Sequence, residues 1–226
     1  MKTPQILGKT SRINGRFSSR KIFCIGLNKT GTTSLKNLLA INGWTISHQC
    51  VGEALFPAYI RGDFRSIESF VDQSKANFFQ DAPFSFPETW EHLYRRFPNA
   101  IYLLTVRTSF KEFYQSRIRF DKKIMDCSDM PTWRDLEKFS SGSLPVGALS
   151  TYYREIIGCQ TNPYEESLWQ AHYHDHNSKV IDFFANKSHQ FAAIDLSDER
   201  DSLMNINRLL KPILRIKEIP HVNKSR

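Results

Sequence analysis

Apolar residues along this chain fall into short unbroken runs set between longer stretches with helical spacing. Residues 21–27 (Lys-Ile-Phe-Cys-Ile-Gly-Leu) read as a strand, too short for a helix and apolar enough to be buried on both faces. Residues 32–42 repeat apolar side chains at helical intervals and stop at Gly43, as a helix C-terminus does. A short second strand is expected at 44–48, a helical stretch at 53–73 broken near Pro57, and a third strand at 76–80. Residues 86–97 are amphipathic, with Pro87 suited to a first helical turn and Pro98 ending the helix. Residues 101–106 form a continuously apolar fourth strand. Between 121 and 163 the periodicity dissolves into a mixed insert around Ser140-Ser141-Gly142-Ser143. A helix (164–186), a strand (190–196) and a helix (201–210) follow. Strands alternating with helices predict an α/β domain in three layers, a central and mostly parallel sheet flanked by helices. No internal repeat interrupts this order.

The first strand runs directly into Gly26-Leu27-Asn28-Lys29-Thr30-Gly31-Thr32-Thr33-Ser34-Leu35. Strand, Gly-punctuated loop and helix is the P-loop-like arrangement that collects backbone N–H groups and a helix N-terminus around a phosphate. Nucleoside triphosphatases place a Lys directly after the second Gly. Here Thr32 and Thr33 follow Gly31, and the loop's cation is Lys29, two residues before it. The charge has moved to the other side of the anion.

On these residues the chain resembles the sulfotransferases, whose 5′-phosphosulfate loop runs roughly P-K-[ST]-G-T-[TS]-x-L; Asn28 stands where Pro is common. Three further blocks extend the resemblance over about 21–224. Pro98 to Arg107 is a turn, a strand and a terminal Arg, followed by a helical stretch holding Ser116. Tyr173-His174-Asp175-His176-Asn177 resembles a Y-x-x-H-N helix, and Ile219-Pro220-His221-Val222-Asn223 an F-P-H-x-N ending. The resemblance implies a donor, 3′-phosphoadenosine 5′-phosphosulfate, used without a metal. It implies that Asn28, Lys29, Thr30, Gly31, Thr32, Thr33 and Ser34 surround the phosphosulfate, and that Arg107 and Ser116 hold the 3′-phosphate. A guanidinium fork matches phosphate oxygens, and a hydroxyl adds one more donor. Arg107 and Ser116 lie nine residues apart, one more than the family's usual spacing, with Ser109 as the alternative.

Sulfuryl transfer needs a cation for the charge on the leaving phosphate, and Lys29 fills that role. It also needs a base for the acceptor's proton. Asp81, in Gln80-Asp81-Ala82-Pro83, stands where the cytosolic small-molecule enzymes carry a His; an ordinary turn or capping residue is the bland alternative. His48, ending a predicted strand at the same edge, and His92 are the other candidate bases. His176, Asn177, His221 and Asn223 divide between bracing and site roles, and Trp133, Tyr152 and Tyr153 between an acceptor wall and local core.

Composition refines this only slightly. The net charge of +8 would suggest a polyanion partner, but Lys2, Lys9, Arg12, Arg16, Arg20 and Lys21 supply six of those charges. The remainder holds 25 basic against 23 acidic residues, so nucleic acid is not the expected partner. Residues 1–20 read as a basic flexible tail, with contact to a membrane surface left open, and 21–226 as the domain. No apolar stretch reaches transmembrane length and no signal-peptide core precedes the domain, which favours a cytoplasmic protein. Cys24, Cys50, Cys127 and Cys159 lack metal-ligand spacing and read as free thiols. On a helix His172 and His176 share a face while His174 points elsewhere, which argues against a three-histidine metal site. Expected partners are a small-molecule or carbohydrate acceptor; the rival readings are a donor-binding module without turnover and a divergent P-loop kinase.

Overall fold

The computed structural model describes residues 20–210; the tail before residue 20 and the block with His221 and Asn223 lie outside the described residues. Four strands form one all-parallel sheet, β1 (Ile22–Cys24), β2 (Phe78–Phe79), β3 (Ile101–Val106) and β4 (Phe191–Asp195), in the order β2-β1-β3-β4. Ile22 pairs with Phe78 on one side and Ile101 on the other, and Tyr102 pairs with Phe191. The expected strand at 44–48 contributes a single bridge, Ile46 to Phe78.

Strand side chains alternate between faces, and both faces are covered. Cys24, Leu103 and Ile194 pack under α1 (Thr32–Ile41) and α10 (Glu199–Leu210) through Leu35, Leu38, Ile206 and Leu209. Phe23, Tyr102 and Leu104 belong to a second, strongly aromatic layer. That layer draws on α5 (Thr89–Arg96), α6 (Phe110–Ile124) and α9 (Glu166–Phe184). The Tyr102 ring stacks on Phe23 at 5.5 Å and meets Phe184 at 5.0 Å. The three-layer α/β architecture is therefore the expected one.

Three short helices, α2 (Gln49–Glu53), α3 (Phe56–Ile60) and α4 (Phe64–Gln73), replace the single broken stretch expected before β2. The region without periodicity is also helical in pieces. The helix α6 continues to Ile124, α7 spans Trp133–Lys138, and α8 (Ala148–Thr151) runs into a π-helical segment, Tyr152–Ile157. Each piece is too short for a 3.6-residue period to show. A capping box starts α7, with the Thr132 backbone N–H donating to Asp135 at 2.8 Å.

From β1 the chain goes first to β2 on one side and then to β3 on the other, so the crevice beyond their carboxyl ends is the topological switch point. The strands close tightly there. A Cβ on Gly26 would lie 2.3 Å from the Thr105 carbonyl oxygen and 2.3 Å from its hydroxyl. Thr30 donates its hydroxyl proton to Leu27 O at 2.6 Å, so at the 2.6 Å contact between the two hydroxyls Thr105 is the donor. Cys24 lies 3.6 Å from Thr105 Oγ1, and burial pushes its thiol up to about 12, leaving S–H to donate in turn.

Gly26→Ala forces backbone against backbone. The expected loss is about 3 kcal/mol or more, a fall in Tm of at least about 6 °C for a domain of this size. Thermal unfolding of the variant checks it, and an unchanged Tm would mean that the strand ends part easily.

Candidate active site

The loop from β1 to α1 is held in an unusual backbone shape. Lys29 has φ 80° and Gly31 φ 108°, both left-handed, and a side chain at Gly31 would meet Leu196 Cδ1 at 2.6 Å. Gly31 is the N-cap of α1, and Leu35 is the residue whose N–H bonds back to Gly31 O, at 3.1 Å. The amides of the preceding turn have no carbonyl of their own helix to bond. Their ends, with the positive pole of the helix, make an anion seat.

Lys29 is half-buried, with its ammonium 3.8 Å from the centre of the Phe120 ring, a cation–π contact. Burial first, and then the neighbouring charges of Arg117, Arg107 and Lys123, lower its pKa to about 8, with Asp81 opposing. Lys29 and Arg117 both lie over the Phe120 ring, at 3.8 and 5.1 Å from its centre. Arg117 is neutralised in part by a buried ion pair with Asp121, whose carboxylate also accepts from the Tyr153 and Tyr164 hydroxyls.

Arg107 follows β3 directly and its Nε donates to Lys29 O at 3.0 Å, so the two loops are stitched together. Its backbone is fixed from α9. The Arg107 N–H donates to the Tyr173 hydroxyl at 3.0 Å, and that hydroxyl reaches Arg107 O at 3.2 Å. One turn further on, His176 donates from Nε2 to Ile25 O at 2.8 Å; burial lowers its pKa to about 4, so the ring is neutral. Neighbouring Asn177 is buried and bonds to Tyr173. Both residues brace the loops. Ser116 lies half-buried on α6 and its hydroxyl has no hydrogen-bond partner among the described residues, whereas Ser109 caps that helix by accepting from the Glu112 N–H at 3.3 Å.

Asp81 is buried and has φ 57°. Its Oδ1 accepts the Thr32 hydroxyl at 2.9 Å and its Oδ2 the Gln80 amide at 2.9 Å. Burial raises its carboxyl, against the hydrogen bond from Thr32 and the charges of Lys36 and Lys29. The proton of Thr32 is therefore committed, and its backbone N–H is what faces the anion seat. Asn28 accepts from the Ser85 hydroxyl. His48 is exposed at the start of α2. His92 stacks on Phe64 at 3.8 Å over a separate depression, a packing role.

Beside the loop opens a cavity of about 230 Å³, bordered by Leu27 and Asn28 and walled by aromatic side chains of α3, α6, α9 and the insert. Tyr152 and Tyr153 border it, as an acceptor wall would require, while Trp133 donates to Thr161 O and stacks under Arg154 within the insert. Glu53 and His172 also border it. The sequence marks neither as an acceptor-site residue: Glu53 ends a five-residue helix with no motif around it, and His172 reads there only as a metal-ligand candidate. His172 and His176 are held by Tyr152 and Ile25, and His174 is exposed. Among the described residues no group of three or more His, Cys, Asp or Glu is placed to hold a metal ion. All four cysteines are free. Among the described residues no helix is long and apolar enough to cross a membrane.

A family model described as a sulfotransferase domain matches residues 21–226, and the chain belongs to that family. A search of the curated proteins returns no match.

Lys29 should reveal its electrostatic cost through pH. Its unfolded value is the ordinary one near 10.5 and its folded value about 8. Between the two the unfolded chain binds more protons, so stability rises with pH across that window; below it the cost is constant. Lys29→Met is therefore expected to raise Tm at pH 7, by about 2–4 °C for each kcal/mol recovered, with the advantage shrinking towards pH 10. A variant less stable than wild type at pH 7 would show that the Phe120 contact outweighs burial and repulsion.

Proposed function

We propose that this protein moves the sulfuryl group of 3′-phosphoadenosine 5′-phosphosulfate to a hydroxyl acceptor. The observation that carries this reading is that Lys29 and Arg107, joined at 3.0 Å through the Lys29 carbonyl, stand on the loops beside the N-terminus of α1, with Lys29 among further like charges that depress its pKa. Such crowding destabilises the empty protein and is relieved by a ligand with several negative charges.

In this reading the first-turn amides of α1 and the Thr33 hydroxyl take the 5′-phosphosulfate. Lys29 meets the charge that develops on the leaving phosphate oxygen, where a fixed cation in a partly dry site acts more strongly than in water. The terminal amino groups of Arg107 and the Ser116 hydroxyl take the 3′-phosphate, Ser109 being occupied as a helix cap. We assign Asp81 to orienting Thr32, since it is buried and stands apart from the residues that border the cavity. His48, exposed at the start of α2, takes no part. The reading needs no metal ion. A triphosphate-binding kinase is disfavoured because the position after Gly31, where its Lys belongs, is Thr32 tied to Asp81.

Thermal-shift titration tests the donor site. Adenosine 3′,5′-bisphosphate at about a hundred times its Kd adds about 2.7 kcal/mol, so Tm should rise by about 5–10 °C without magnesium. Arg107→Ala removes a charged hydrogen bond and should weaken binding about ten- to a hundred-fold. A shift seen only with ATP or GTP plus magnesium would sink the reading. Bisphosphate binding with no transfer from labelled donor to any acceptor would make the protein a binding module.

A further inference from the structure

Resting on that reading, we infer that the acceptor is an aromatic alcohol of one or two fused rings, seated in the cavity beside Asn28, and that Glu53 takes its proton. Size comes first. An apolar cavity of about 150 Å³ admits benzene, and this one measures about 230 Å³, room for one further fused ring. Its walls include Phe86, Phe113, Phe120 and Trp169, flat surfaces suited to ring stacking.

On the side of the cavity away from Asn28, the tyrosine, histidine and arginine tips are engaged within the protein. Tyr152 is bonded to His172 Nε2 at 3.1 Å and Tyr153 donates to Asp121. Burial lowers the His172 pKa to about 3, so the ring carries no charge. The Arg117 guanidinium is paired with Asp121. A monosaccharide carries a hydroxyl on nearly every carbon, and each one buried without a partner weakens binding by about five- to 150-fold. The aromatic walls supply no such partners, whereas a phenol or naphthol brings a single hydroxyl.

One corner can receive it. Asn28, Gln49 and Glu53 border the cavity together. Glu53 Oε1 accepts from the Gln49 amide at 2.8 Å and Oε2 from the Ser143 hydroxyl at 2.6 Å. These two bonds orient the carboxylate and leave each oxygen a further lone pair. Asp81, the carboxylate just beyond β2, does not border the cavity. A phenolic hydroxyl, with a pKa near 10, also suits a carboxylate base better than an aliphatic hydroxyl does. In the step, the acceptor oxygen forms the new S–O bond as the bond from sulfur to the bridging phosphate oxygen breaks. That oxygen keeps the electron pair beside Lys29, and the acceptor's proton passes to Glu53.

The test combines binding and turnover. With the bisphosphate bound, 2-naphthol should quench the fluorescence of Trp169 and raise Tm, and N-acetylglucosamine should do neither. Labelled donor should sulfate 2-naphthol. Glu53→Gln should lower kcat by about 10²–10⁴-fold while the bisphosphate shift and the KM for naphthol stay within threefold. Ala148→Leu, which fills the cavity, should raise that KM at least tenfold with donor binding kept. Sulfation of the sugar but not of naphthol overturns the acceptor class. Full turnover in Glu53→Gln, with loss in Asp81→Asn, returns the base to Asp81. A protein that fails to bind the bisphosphate overturns the donor reading instead, and naphthol binding to the unloaded cavity still judges the acceptor class.

Discussion

Gly26 lies against the backbone of Thr105, and the distance between the carboxyl ends of β1 and β3 is set by that contact. With no side chain between them, the strand ends close until the hydroxyls of Thr30 and Thr105 touch at 2.6 Å. The loop that begins at Gly26 then has one way to turn. Thr30 is tied back to Leu27 through both its N–H and its hydroxyl, Lys29 and Gly31 take left-handed conformations, and α1 starts with its amides facing the crevice. Sheet topology makes this the switch point where α/β folds bind ligands. The close approach turns a topological opportunity into a shaped seat.

A second constraint comes from α9, which touches both loops without contributing to the seat itself. Tyr173 grips the backbone of Arg107 and His176 the carbonyl of Ile25. Spaced three residues apart, they share one helix face, which explains why a Tyr and a His recur in that spacing in the block that resembles the family. The histidine invites a catalytic reading. Its neutral ring, bonded to a backbone carbonyl, acts as a strut, and a strut of this kind positions the cation-bearing residues through the backbone and not through their side chains.

How much of this was legible in the sequence depends on how local each feature is. The strand, loop and helix around Lys29 follow one another directly from Ile22 to Ile41, and the order of residues alone specifies them. Arg107 was legible because a continuously apolar strand ends on it. The partner of Asp81 was not: the carboxylate stands 49 positions from Thr32, and nothing in either segment announces the other. The cavity was least legible of all. Its walls come from α3, α6, α9 and the pieces of the insert, and helices of four to six residues such as α7 and α8 carry no periodicity to read. Glu53 is bonded to Ser143 across 90 positions, so its placement depends on how the insert folds back.

Charge and burial work against each other at this edge. Lys29 sits partly dehydrated among like charges, with Asp81 as the opposing group, and Asp81 is itself buried with its carboxyl raised. A fold selected only for stability would place an apolar side chain at position 29, as the Phe120 ring beneath it invites. The stabilising work is done elsewhere, by the aromatic layer against β1 and β3 and by the Arg117–Asp121 pair with its two tyrosines. That pair has a second consequence. By neutralising Arg117, it lets α6 border the apolar cavity on one side and the cation cluster on the other. The boundary between them is drawn by Phe120, whose ring carries the Lys29 ammonium while bordering the cavity. One side chain thereby separates the Lys29 ammonium from an apolar cavity, and in the proposed reaction the acceptor and the donor would meet at its edge.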